Sequence, residues 1–236
     1  MLGLSDARHF RRLVAGFCLI AAPVTLLAGA LVHPQGKDAA AAQVAVVADN
    51  PDRYYAAHAI ILAGIALFLP GILGLMHLLR ERATALGHVG GGLAMIGLFG
   101  ATAVVAVDGI AVSQMGQPSA NAEEMAALLD RIKESAGLRA IAIAGAVPFV
   151  LGMLLLASGL WRTDAVRPWM AGAIAAAAIV FLIGQVTDNR SIFAGAFAIY
   201  LVGLGPLGWR ILTDSDEEWA GKATKPAVPL APTSRA

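Results

Sequence analysis

Six long apolar stretches dominate the chain, at residues 13–32, 56–79, 89–112, 138–161, 168–187 and 192–212. An α-helix rises ~1.5 Å per residue, so about 20 such residues cross ~30 Å of hydrocarbon. In lipid every backbone N–H and C=O must be paired within the protein, which leaves helices for runs of this length. The expected fold is all-α, a polytopic membrane bundle of six transmembrane helices. Composition agrees: 58% of the 236 residues are hydrophobic and 14% charged, against roughly 25% charged in a soluble domain.

Basic residues set the orientation. With the N-terminus in the cytoplasm, eleven of the 17 Lys and Arg residues fall inside. The short loops RERATALG and RTDAVR supply two arginines each. The expectation is N-in/C-in in a bacterial inner membrane. Arg8, Arg11, Arg12, the apolar run and Ala28-Gly29-Ala30 also fit a secretory signal, whose removal would leave five helices. The first apolar run exceeds the usual ~7–15 residues of a signal core, which favours a retained helix.

Two longer connections, 34–53 and 117–137, fall outside and have amphipathic helical patterns. In the second, Met125, Leu128, Leu129 and Ile132 recur at helical spacing, with Pro118-Ser119 as start and Gly137 as stop. Residues 1–212 are expected to form the bundle with these connections, and 213–236 a disordered cytoplasmic tail.

Glycines crowd the third span, at 87, 90, 91, 92, 97 and 100, which predicts close helix contacts and a central place for that helix. GHVGGG lacks the lysine and hydroxyl residue of a phosphate loop. Pro70 and Pro148 predict kinks. A shift of 81 residues aligns Ala63, Gly64, Phe68 and Gly71 with Ala144, Gly145, Phe149 and Gly152, and Gly91 with Gly172, suggesting a parallel duplication.

The polar residues inside the spans carry the functional question. Asp108 lies about one turn from the outer end of the third span, where a lipid-facing carboxylate would cost roughly 2.5–3.5 kcal/mol even by insertion scales. It is expected to face the interior. His58 begins the antiparallel second span at similar depth, and His33 ends the first. Gln185, Asp188 and Arg190 belong to the same level. The candidate binding residues are His33, His58, Asp108, Gln185 and Asp188, around an outward-facing polar pocket. His33, His58 and Asp108 are the candidate metal ligands.

Three uses of that pocket stay open: binding or transport of a small molecule or ion, a membrane-embedded metal or acid–base enzyme that would also draw on Asp188, and a structural Asp–His pair in an accessory subunit. No local metal motif such as H-E-x-x-H is present, and the sequence names no cofactor. His77 and His88 lie at the opposite depth from His58, which disfavours a haem between facing helices. Cys18 is the only cysteine, so there is no intrachain disulfide. Net charge +1 and no recognisable module give no reason to expect nucleic acid. The bilayer is the expected partner, and an oligomer is left open.

His33-Pro34, Asp52-Arg53, His58 and Asp108-Gly109 together resemble a pattern of small uncharacterised multi-pass inner-membrane proteins of actinobacteria, over most of the first 110 residues. The resemblance implies an inner-membrane location and no activity.

The orientation is testable. In a cysteine-free background, a cysteine at Ser119 is expected to react with an impermeant thiol reagent in intact cells and one at Thr163 to stay protected. The opposite labelling pattern would reverse the topology.

Overall fold

The computed structural model describes residues 7–36 and 39–221. Its elements are α1 (Ala7–Val32), α2 (Ala40–Asp49), α3 (Pro51–Leu79), α4 (Thr84–Val107), a π-helical turn (Asp108–Val112), α5 (Ser113–Met115), α6 (Ala122–Glu134), α7 (Ala136–Arg162), α8 (Pro168–Val186), α9 (Arg190–Thr213) and α10 (Asp216–Gly221). Six are long and apolar enough to cross a membrane: α1, α3, α4 with its extension to Met115, α7, α8 and α9. They match the expected spans to within a few residues; α1, α3 and α4 run several residues past them, because helix continues beyond the apolar stretch, while α8 ends at Val186.

Each spanning helix packs on the next in chain order, and α9 returns to α1, so the bundle is a closed ring. Large side chains such as Phe10, Phe17, Ile96, Phe99, Ile143 and Val202 point outward, as a lipid-facing surface requires. Trp161, Trp169 and Trp209 are exposed at the ends of α7, α8 and α9 that meet the short loops, where indoles suit a membrane–water boundary. Phe68, Phe149, Phe181, Phe197 and Tyr200 meet inside the ring, mostly edge to face.

The glycines of α4 do not place it at the centre. It has the smallest buried share of the six spans, 22% against 39–50%. Its small residues instead serve two seams. Gly90, Gly97 and Gly100 lie against the α7 backbone, and Gly91 under Met76 of α3. A Cβ on Gly152 of α7 would strike the Ala94 nitrogen and the Gly90 oxygen. Without a hydrophobic drive between helices in lipid, such close approach is what gives packing its energy. Two of the aligned glycine pairs hold equivalent places, whereas Gly91 lies under Met76 and its counterpart Gly172 faces open space. Gly64 and Gly71 of α3 meet Leu26 and Leu19 of α1, as Gly145 and Gly152 of α7 meet the preceding span α4.

The end of the ring formed by the C-termini of α1, α4 and α8 is roofed by α2 and α6. Val44, Val47, Tyr54, Val112, Met115 and Leu129 form a second small core there. α6 starts later than Pro118-Ser119: the Asn121 side chain accepts from the Glu123 and Glu124 amides. Ser135 closes α6 and caps α7 by accepting from the Leu138 amide, so Gly137 falls inside α7.

The tail departs from expectation as far as it is described. Helix runs to Thr213, and Ser215 and Glu218 form a reciprocal capping box that starts α10. Arg12 donates to Asp216 at 2.7 Å and to the Ile211 and Leu212 carbonyls, while Trp219 stacks on His77. The Arg12 hydrogen bond holds the Asp216 carboxyl below the ordinary range. Residues 222–236 lie outside the described part.

The seams predict opposite outcomes for two glycines. Gly152→Ala should cost about 1–3 kcal/mol, the usual range for overpacking. Nothing lies within 4 Å of a Cβ on Gly172, so Gly172→Ala should be neutral or stabilising by about 0.5–1 kcal/mol through helix propensity. Thermal melting in detergent reads both.

Candidate metal centre

Four chain segments bring the site together beneath the α2–α6 roof. His33 and Pro34 terminate α1; Tyr54 and His58 sit one turn apart on α3, which starts at Asn50-Pro51 with proline in the first turn. Asp108 opens the π-helical turn, and Arg190 opens α9 after the Asn189 cap. His33 and His58 are each 4% exposed, and the Asp108 side chain keeps 45% of its surface, facing the interior cavities. The His33, Tyr54 and His58 rings pack on one another in tilted and edge-to-face contacts with centroids 4.5–4.9 Å apart.

The π turn matters here. An i→i+5 turn adds a residue to the helix and re-aims the side chains that follow, and such turns recur at functional sites. It places Gly109 flat against His58: a Cβ there would come within 2.6 Å of the His58 Cβ. Asp-Gly is thus a two-residue device, one residue for the carboxylate and the next for the approach of α3.

Hydrogen bonds fix the tautomers. His33 Nδ1 lies 2.7 Å from the Pro34 carbonyl and His58 Nδ1 2.9 Å from the Tyr54 carbonyl. A carbonyl only accepts, so both Nδ1 atoms carry hydrogen and donate. Both Nε2 atoms are left for the shared space. His58 Nε2 lies 2.9 Å from Asp108 Oδ2, and Tyr54 donates its hydroxyl to Asp108 Oδ1 at 2.9 Å. Gln43 of α2 hydrogen-bonds the Tyr54 phenol and locks it. Burial and the nearby Arg190 guanidinium push His33 down to about 4, so its imidazole is neutral at pH 7 with an available lone pair.

His33, His58 and Asp108 offer one ligand atom each, all within 4.8 Å of one another. These are the three residues named as metal candidates from the sequence. Gln185 and Asp188 line the same cavity from α8 and the α8–α9 turn but do not join this cluster. Asp188 has a positive φ of 47°, a conformation Asp tolerates, and ends α8. Tyr54 was missed by the sequence reading, although its i, i+4 spacing to His58 puts both on one helix face.

The cluster stands at the junction of two cavities. One, of about 270 Å³, runs inward between apolar walls such as Ile65, Leu98, Phe149 and Phe181. The other, of about 370 Å³, lies under the roof and is lined by Gln35, Gln43, Tyr54, Lys133 and Ser191. Asp108, Asp188, Asn189 and Arg190 border both.

No protein-family model, curated protein sequence or solved structure matches this chain. Fold and site define a multi-pass membrane helical bundle with a buried two-histidine, one-aspartate cluster.

Two substitutions test how the cluster is held. Gly109→Ala should displace His58 and destabilise by about 1–3 kcal/mol. Tyr54→Phe removes one hydrogen bond to Asp108 and should cost roughly 1 kcal/mol. Both are read by thermal melting; a Gly109→Ala protein as stable as wild type would contradict the packing described.

Proposed function

We propose that the protein is a membrane-embedded metalloenzyme in which His33, His58 and Asp108 hold one divalent transition-metal ion. One observation carries this. Two buried imidazoles and a carboxylate each bring one ligand atom within 4.8 Å of the others; His58 donates from Nδ1 to a backbone carbonyl and holds Nε2 2.9 Å from Asp108 Oδ2, a contact that a proton closes and a metal ion can replace. His33 repeats the arrangement, with Nδ1 fixed by a carbonyl and Nε2 free of any protein hydrogen bond among the described residues. Imidazole held through its other nitrogen by a backbone carbonyl is the usual outer support of metal-bound histidine.

Two imidazoles and one carboxylate suit zinc, which in catalytic sites takes three protein ligands and keeps one position open. The same donors also serve iron(II), and metal analysis separates the two. Bound zinc supplies a water acidified to a pKa of about 7, the chemistry of hydrolases. The Tyr54 hydroxyl donates to Asp108 Oδ1 and so would orient the carboxylate, with Oδ2 turned toward the cluster, for an ion held there. Asp188 places a second carboxylate on the cavity wall, where it can take up a proton.

Transport across the membrane has less support. Inward of the cavity, Ile72, Leu75, Met153, Leu156 and Leu204 fill the interior. The remaining buried polar side chains among those described are Gln43 and Ser113 at the site end, Arg12 at the other, and the lone Tyr200 hydroxyl among the interior aromatics. The arginine distribution supports an N-in/C-in inner-membrane protein with this site facing outward.

Protein purified without chelator is expected to carry about one zinc or iron per chain. His33→Ala, His58→Ala and Asp108→Asn should each lose it. Asp108→Asn should still fold, since the amide can donate to a neutral His58 Nε2. A wild-type protein that stays metal-free after reconstitution, yet is strongly destabilised by Asp108→Asn, would identify a plain His–Asp ion pair instead.

A further inference from the structure

The two cavities have opposite character and meet at the cluster. The inward one is walled by Ile65, Leu98, Ala101, Ala146, Phe149 and Phe181, and its polar groups gather at the mouth. Leu98 lies ten residues along α4 from Asp108, about 15 Å at ~1.5 Å per residue. A water's share of liquid volume is ~30 Å³ and a methylene is of similar size, so 270 Å³ holds on the order of ten carbons. Such a space is a slot for one alkyl chain.

Arg190 marks the other end of the ligand. It borders both cavities and is half-buried at the start of α9. Its charge is felt by His33, Tyr54 and Asp108. Among the described residues it makes no hydrogen bond or ion pair, although the Asp108 and Asp188 carboxylates border the same cavities, and its planar fork matches a carboxylate or phosphate. The roofed cavity beyond it is polar, with Gln35, Gln43 and Ser191. Its volume accommodates a small head.

We propose that the site takes a single-chain anionic amphiphile, with an alkyl chain of about ten carbons along the inward cavity and a carboxylate or phosphate head at Arg190, so that the group next to the head lies against His33, His58 and Asp108. This rests on the metalloenzyme reading for what happens to the ligand, and stands apart from it for binding. The acid could be a free alkyl acid or part of a bilayer lipid; the chemistry recognised is the same.

The test is equilibrium binding of tritiated decanoate, decyl phosphate and decanol to full-length protein in nanodiscs, corrected with empty discs, with and without one equivalent of zinc. Decanoate or decyl phosphate should bind saturably and at least tenfold more tightly than decanol. The preferred head names the acid: carboxylate for a free alkyl acid, phosphate for a lysophospholipid-like ligand. Arg190→Gln should remove that preference and leave decanol unchanged. Ala146→Leu and Ala101→Leu should each shorten the longest chain that binds, with melting temperature and metal content as wild type. Equal affinity for decanol and decanoate, or no saturable binding of any chain by a folded wild-type protein, would overturn the proposal. Chain binding that persists without zinc, in a protein that never takes up metal, would support the amphiphile site while ending the metalloenzyme reading. The reverse pattern would do the opposite.

Discussion

His58 is held between two acceptors, the Tyr54 carbonyl on one ring nitrogen and the Asp108 carboxylate on the other, and the site end of the bundle is arranged around that contact. Both partners are placed by helix geometry. Tyr54 is one turn back on the same helix, and Asp108 starts the π turn on the neighbouring one. A group fixed on both sides has no rotamer freedom left to lose when a cation arrives, which is the preorganisation a metal site needs.

The ring serves that contact from a distance. Close seams between α1 and α3 and between α4 and α7, made by Gly64, Gly71, Gly90, Gly97 and Gly152, bring backbones near enough for small shifts to be resisted. The roof of α2 and α6 then covers the polar end. Its own core includes Tyr54, so the same residue joins the roof to the Asp108 carboxylate. The ring is thus tightly filled at the loop end and hollow at the site end.

Much of this was legible in the sequence because lipid leaves few choices. Length and apolarity locate the six spans, and equal depth on antiparallel neighbours brings His58 to Asp108. His33 followed from the same depth argument. Tyr54 escaped because the apolar run suggests a helix start near residue 56, whereas Pro51 in the first turn begins it earlier. The π turn has no residue signature, since it is a change of hydrogen-bond register. The α10 helix did have one, Ser215 and Glu218 at capping-box spacing, obscured by the acidic, proline-rich tail around it. The glycines of α4 misled for a physical reason: small residues report close approach to a neighbour, and a peripheral helix with two close neighbours needs them as much as a central one.

X-ray absorption at the metal edge tests the central claim most directly, on protein purified from cells grown with trace zinc and iron and no chelator. The expected first shell is two imidazole nitrogens and one or more oxygens, without sulfur, and the metal edge itself should be lost in His33→Ala and His58→Ala. An edge no higher than buffer, or a shell unchanged by His33→Ala and His58→Ala, would contradict the claim.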